Sequence, residues 1–172
     1  MPAESVHEQI EEALKTLLAG IVAGADYWNT FNSATAKVAR CSFYRPQDLV
    51  VGYEQIVLIR PGIETVREFS TGDASTGGGL RGEMETYVEI NKRFEAGTEN
   101  PFEAAAPTRA TLINRAIRDV LRKVCLEGIT LAGLAVNVIQ ESLVIDRDQY
   151  AEKWARAELR FVISYDFMAA TP

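Results

Sequence analysis

The architecture of this chain follows from residues 108–134, TRATLINRAIRDVLRKVCLEGITLAGL. Apolar side chains recur every three to four residues over 108–125, which predicts an amphipathic α-helix. Two stretches typical of β-strands follow, 134–145 and 154–167. The block from 108 to 167 holds one cysteine and no histidine. It therefore predicts architecture rather than a reaction centre.

The composition is that of an ordinary globular domain. The 172 residues fit one domain with a buried core, and 47% hydrophobic with 24% charged residues argues against disorder. The net charge of −6 argues against a nucleic-acid binder, because such domains are usually basic. No leader peptide is recognised, and the longest apolar stretch, 14–25, is too short and too polar to cross a bilayer. We expect a soluble protein that is built in the cytoplasm.

Ser5 and Glu8 mark the start of the first helix, because they have the spacing of a capping box. In this motif each side chain accepts a hydrogen bond from the backbone N–H of the other residue. The pattern predicts a helix over Val6–Ala19, with His7 facing solvent in its first turn. Its apolar stripe consists of Val6, Ile10, Leu14, Leu17 and Ile21.

Three strands are predicted in the middle of the chain. Stretches 37–43 and 54–60 have strand composition, and Pro61 is expected to end the second. Residues 83–94 alternate between apolar and polar, which predicts a strand with one solvated face. The expected buried side chains are Met84, Thr86, Val88 and Ile90. The expected solvated side chains are Glu83, Glu85, Tyr87 and Glu89.

The connections between these elements differ in character. Residues 25–36 are polar and aromatic, and Tyr27, Trp28 and Phe31 are expected to fill the inner side of that connection. Residues 63–82 include the run STGDASTGGG, in which no side chain can anchor a core. A flexible loop is therefore expected over 63–82.

The motifs that bind phosphate or metal ions are incomplete. The glycine run continues into Leu80 and Arg81 rather than into Lys and Ser/Thr, so a phosphate-binding loop is not predicted. His7 is the only histidine, which excludes a His-based metal site or catalytic triad within one chain. Asp146 and Asp148 have the spacing of calcium ligands, but the glycine and the closing glutamate of a calcium loop are missing.

The remaining reactive side chains have simpler interpretations. Cys41 and Cys125 lack metal-ligand spacing and are expected to be reduced thiols, one in a strand and one on a helix. We expect the carboxylates to lie on solvated faces. General acid–base catalysis would instead require them in a desolvated cleft. We expect no catalytic residue, no metal and no cofactor.

The predicted order of elements is α, β, β, β, α, β, β. The hairpin-like ends and long loops favour one α+β domain over 1–172. Its sheet is expected to be mixed, mostly antiparallel and of four or five strands, with two main helices on one face.

This pattern resembles the tail terminator, or tail completion, proteins of long-tailed bacteriophages and phage-like particles. The resemblance covers nearly the whole chain, beginning with the first helix and the turn at Arg45-Pro46. Its most specific part is the helix to Cys125, followed by Leu131-Ala-Gly-Leu134 and a strand carrying Val136. The last strand, Arg156-Ala-Glu-Leu-Arg-Phe-Val-Ile-Ser-Tyr165, resembles the closing strand of the family.

The resemblance implies a virion protein of the tail or neck that forms a homo-hexameric ring. Such a ring caps the tail tube, stops its polymerisation and docks the head-side connector, while DNA only passes through its lumen. It also implies no enzymatic activity, no cofactor and no membrane contact. Another neck or head–tail joining protein is the first alternative. A small-molecule binding module, or an enzyme with a site at a subunit interface, is the second.

A closed ring needs two different complementary patches on each subunit. We expect the basic side of the second helix to meet acidic residues of the predicted solvated strand face on the neighbour. The basic candidates are Arg115, Arg118, Arg122 and Lys123, and the acidic ones are Glu83, Glu85 and Glu89. Arg67, Asp73 and Arg81, around the glycine-rich loop, complete the candidate interface residues.

Overall fold

Two helices and five strands form one mixed α+β fold in the computed structural model of this chain. The structure describes residues 5–40, 53–69, 79–93, 109–146 and 154–167. The helices are α1 (Val6–Ala19) and α2 (Arg109–Arg122). The strands are β1 (Ala36–Arg40), β2 (Gln55–Phe69), β3 (Gly79–Arg93), β4 (Asn137–Asp146) and β5 (Trp154–Phe167). The predicted fold class and order of elements are confirmed.

The strands lie in the order β1-β2-β3-β5-β4. β1 pairs with β2 in parallel, and every other neighbouring pair is antiparallel. β3 and β5 therefore lie inside the sheet, and β1 and β4 are its two edges. It follows that β1 runs in the opposite direction to β4.

Both helices cover one face of the sheet, called here the inner face. Their apolar stripes join the inner side chains of all five strands in one cluster. The predicted inner side chains of β3 are all buried, and so is Phe31. Trp28 is 53% exposed, so its predicted inward position is wrong. Its backbone N–H instead faces inward and donates to the carboxylate of Asp119.

β2 and β3 are longer than predicted. β2 continues through Pro61 to Phe69, and β3 begins at Gly79, so the two strands stay paired over half of the predicted loop 63–82. The prediction of a loop is wrong for these strand portions. Residues 70–78 lie outside the described residues.

A bulge explains how β2 tolerates its proline. The pairing of β2 with β3 shifts between Pro61 and Glu64. Among the described residues, β1 pairs with β2 as far as Ile59, so Pro61 lies beyond the described pairing and no second described strand needs its N–H. We call the part of β2 and β3 beyond this bulge the hairpin arm.

The predicted bounds of α1 and its predicted capping box are confirmed. The backbone N–H of Glu8 donates to Ser5 Oγ at 3.3 Å, and that of Ser5 donates to Glu8 Oε2 at 2.8 Å. Ser5 itself is extended, with φ −61° and ψ 156°. Two free N–H groups at the helix start are thus satisfied reciprocally.

The connection from α2 to β4 contains a left-handed turn. After α2 the chain makes one π-helical turn, Lys123–Glu127, which carries Cys125. The φ angles of Leu131, Ala132 and Gly133 are then 42°, 58° and 90°. This turn delays the start of β4 to Asn137, later than the predicted strand start at 134.

The remaining strand predictions have mixed outcomes. β5 has the predicted bounds, and β1 ends at Arg40 within the described residues. Cys41, the Arg45-Pro46 turn and Asp148 lie outside the described residues.

Candidate interaction surfaces

The face of the sheet opposite the helices carries paired charges and is called here the charged sheet face. Its members are Arg60, Glu85, Glu89, Arg156, Glu158 and Arg160. Arg156 Nη2 lies 2.8 Å from Glu89 Oε1, and Arg60 Nε lies 3.6 Å from Glu89 Oε2. Arg60 also contacts Glu158, and Arg160 contacts Glu85. These arginines and glutamates neutralise one another within the chain.

Glu89 corrects the prediction of a solvated acidic face. It is only 1% exposed, since arginines of β2 and β5 lie over it. Asn91 Nδ2 also donates to its carboxylate at 2.9 Å. Glu85 accepts from the Tyr87 hydroxyl at 3.0 Å, a bond that raises the pKa of Tyr87. The alternating sequence pattern predicted the face on which Glu89 lies, but not the arginines that cover its carboxylate.

The solvent side of α2 presents two kinds of basic side chain. Arg115 and Arg118 are exposed and form no ion pair with any described residue. Arg122 and Lys123 instead pair with carboxylates of their own chain, at 2.6 and 2.5 Å. Of the four predicted basic residues, two are thus held inside the chain. The other two, called here the available arginines, have no ion-pair partner among the described residues.

Tyr27 holds the two paired cations in place. The Arg122 guanidinium and the Lys123 ammonium each lie 5.6 Å from the centre of its ring, a cation–π geometry. Its hydroxyl donates to Glu127. Burial, together with that hydrogen bond, raises the pKa of Tyr27 to about 12. This cluster fixes the end of α2 against the connection between α1 and β1.

Asp119 lies on α2 and points inward, unlike the exposed basic residues of the same helix. It is 1% exposed. Its Oδ2 accepts from Asn29 N–H at 2.9 Å and Asn29 Nδ2 at 2.7 Å, and its Oδ1 accepts from Trp28 N–H at 3.2 Å. The position of Asp119 three residues after the buried Ala116 was the signal that could have revealed its inward direction.

Lys92 extends this buried polar cluster. Its ammonium contacts Asn29 Oδ1. Burial lowers the pKa of Lys92, while the nearby carboxylate of Asp119 opposes that shift. The ammonium of Lys92 on β3 thus lies near the buried carboxylate of Asp119 on α2.

His7 takes part in a contact that sequence reasoning missed. Its Nε2 lies 2.7 Å from Glu64 Oε1 and 3.3 Å from the Tyr165 hydroxyl, which also donates to Glu64. The side chain of His7 is half-buried, so its predicted solvent-facing position is wrong. Because Glu64 fell in the predicted loop, no pattern indicated that α1 would meet the hairpin arm.

The hairpin arm carries the remaining candidate residues. Arg81 Nε lies 2.8 Å from Asp166 Oδ1 on β5, and the backbone of Arg67 pairs with that of Arg81 in the sheet. Glu83 is half-exposed on β3. Asp73 lies outside the described residues. Arg81 is thus tied to its own sheet, and interface roles for the four residues stay predictions.

β4 exposes apolar side chains on both faces of the sheet. Ile139 and Val144, on the side of the charged sheet face, are 50% and 60% exposed. Leu143, on the inner face, is 40% exposed, since neither main helix covers this edge. A bulge interrupts the strand between Gln140 and Ser142. β4 is therefore an apolar edge strand.

A groove of about 490 Å³ separates α1 from the left-handed turn. Ala13 and Leu17 line one side and Leu131 and Leu134 the other. Within the described ranges, no three His, Cys, Asp or Glu side chains are grouped closely enough to hold a metal ion. None of the helices in the described part of the chain combines the length and apolar character needed to cross a membrane.

Comparison with known proteins assigns no family to this chain. No protein-family model matches it, and no curated protein matches it significantly.

Proposed function

We propose that this chain is a structural assembly protein, a ring-forming tail terminator that caps a tail tube, ends its growth and docks the head connector. The observation that carries the proposal is the pair of unlike exposed surfaces, namely the available arginines of α2 and the apolar edge strand β4. A subunit of a capping ring needs a surface toward its ring neighbours, here proposed to include β4, and a different one toward its tube or connector, here proposed to be the arginines.

The fold and charge support this assignment. One sheet with two helices on its inner face agrees with the small α/β domain that the resemblance implies. The net charge of −6 repels the phosphate backbone of DNA. Such a charge suits a ring through which DNA passes without binding.

The two available arginines are assigned to a partner other than the neighbouring subunit. Of their three expected acidic contacts, Glu85 and Glu89 are already neutralised by arginines of their own chain, which leaves Glu83. Arg115 and Arg118 are therefore proposed to contact an acidic surface of the tail tube or connector. Reversing both to glutamate is expected to leave the subunit number unchanged. It should also weaken attachment of the ring to tails, more strongly at low than at high salt, because exposed charges are screened.

Native mass measurement and negative-stain imaging of the purified chain test the ring, which should contain six subunits. Deleting the gene from the genome that encodes the chain tests its role. Tubes of uncontrolled length that fail to join heads are expected. Tubes of normal length that still lack heads would instead favour another head–tail joining protein. Normal tails joined to heads would overturn both assignments.

A further inference from the structure

β4 beyond its bulge has few of the features that normally keep an edge strand from pairing with another chain. Natural edges carry outward charges, proline, bulges or very short strands, and the bulge of β4 lies between Gln140 and Ser142. β4 has ten residues, and Ile139, Leu143 and Val144 are its exposed apolar side chains. Its exposed carboxylate, Glu141, lies 3.2 Å from Arg160 of its own sheet. After the bulge, residues 142–146 offer an uninterrupted strand.

The other edge of the sheet matches this segment in direction. The described part of β1, residues 36–40, can lie opposite residues 142–146. Because β1 and β4 run in opposite directions, a copy rotated about an axis along the strands brings its β1 antiparallel to β4. The inner faces of the two sheets then lie on the same side.

We propose that copies of this chain join edge to edge, with β4 of one copy pairing antiparallel to β1 of the next. The proposal rests on the ring-forming function proposed above and specifies the contact that closes the ring. In the register that we assign, Val38 lies opposite Leu143 of the next copy. Ala36 then lies opposite Ile145, and Lys37 lies opposite Val144.

This register matches side chains on both faces of the joined sheet. Val38 and Leu143 both belong to the inner faces, where pairing would cover the exposed part of Leu143. Lys37 is exposed on the side of the charged sheet face. Its alkyl stem can cover Val144, while its ammonium points along the strand toward Glu141. The charge of Lys37 disfavours unspecific pairing at the β1 edge. In this register Lys37 gains Glu141 of the next copy as a specific acidic contact.

Pairing of β4 with β4 of a second copy is the competing arrangement. It would form a two-fold dimer and leave β1 unpaired in both copies. Because a two-fold contact closes on itself, it cannot propagate around a ring. Dimers as the largest species would therefore contradict the proposal.

Val144→Lys tests the edge contact, because it places a like charge opposite Lys37 of the next copy. The substitution is expected to raise the concentration at which rings form by more than about tenfold. Val22→Lys is the matched control, since Val22 is 61% and Val144 60% exposed, and it should leave ring formation unchanged. Native mass and sedimentation velocity measure the assembly, and circular dichroism verifies that each variant folds.

Charge exchange and cross-linking decide the register. Adding Lys37→Glu to Val144→Lys should restore rings, since the two new charges attract each other. Lys37→Cys with Val144→Cys should form disulfides between copies, seen as a ladder that ends at the ring size on non-reducing gels. Either cysteine alone should give no ladder.

The outcomes separate this inference from the proposed function. The edge contact is wrong if the wild-type chain forms rings, Val144→Lys forms them equally well and the double-cysteine variant gives no ladder. The proposed ring would then still hold. If wild-type chain forms no ring, alone or on tails, both proposals fail.

Discussion

Asp119 holds the connection between α1 and β1 against α2. Its carboxylate is buried, and three N–H donors from Trp28 and Asn29 compensate its charge. Hydrogen bonds to an ionised acceptor in a buried site are stronger than neutral ones, and an orphaned donor there is costly. Asp119 is therefore a structural residue although it lies on the most basic helix.

Asp119→Ala is expected to lower the free energy of unfolding by about 3 kcal/mol, because it leaves several buried donors without an acceptor. Urea unfolding measures the change. Arg118→Ala, an exposed substitution next to it, is the control and should stay within about 0.5 kcal/mol of wild type. Equal stability of the two variants would show that Asp119 does not hold the connection.

The capping box gives α1 a pH-dependent start. Hydrogen bonds from the backbone N–H and then the hydroxyl of Ser5 lower the pKa of Glu8 below 4.5. A carboxyl whose pKa is lowered by folding stabilises the folded state above its unfolded pKa. That contribution is lost as the pH falls through the folded pKa.

Ser5→Ala is expected to cost about 1 kcal/mol of stability at neutral pH. The difference from wild type should shrink as the pH falls through the lowered pKa of Glu8, because the protonated carboxyl no longer favours the cap. Urea unfolding at several pH values measures it. A difference that grew on acidification would contradict the reciprocal cap.

At the scale of elements, the hairpin arm packs on β5 through a position where only glycine fits. A Cβ added to Gly82 would lie 2.3 Å from Tyr165 Cζ. The ring cannot move aside easily, because Tyr165 is fully buried and its hydroxyl is bonded to Glu64. Because Gly82 has no side chain, the hairpin arm can pack tightly on β5 next to the contact between His7 and Glu64.

Gly82→Ala is expected to destabilise the fold by about 1–3 kcal/mol through overpacking. Gly24→Ala is the matched control, since the nearest atom to a Cβ there is the carbonyl oxygen of Val22 at 4.0 Å. Thermal unfolding compares the two variants. If both melt together, Tyr165 does not pack against the arm as described.

At the scale of the whole molecule, the sheet is protected from its centre outward. β3 and β5 have a neighbouring strand on both sides, and the helices cover their inner side chains. β1 and β4 are the edges of the sheet. Local opening costs least where few contacts must break. The molecule should therefore loosen from its edges first.

Amide hydrogen exchange tests this order in the monomer, where exchange should be slowest in β3 and β5 and faster in β4. In assembled rings, β4 and β1 should both gain protection if the edges pair. A monomer in which β4 exchanges as slowly as β5 would contradict the edge character of β4.

Local patterns were enough to predict the elements. The period of the apolar stripe and the Ser5–Glu8 cap identified α1 with its bounds, and alternation identified β5 and the buried side of β3. These features depend on residues a few positions apart, so the chain encodes them without reference to the rest of the fold. The α+β class followed from their order.

Partners distant in the chain were decided by tertiary structure alone. Glu89 is buried because Arg60 and Arg156 arrive from two other strands, and His7 is half-buried because Glu64 approaches it on the hairpin arm. A periodic pattern specifies the direction of a side chain on its own element but not what meets it there. The sequence by itself therefore determined the helices, most strands and the buried faces. Only the folded sheet decided which charges are neutralised within the chain and which strands form its edges.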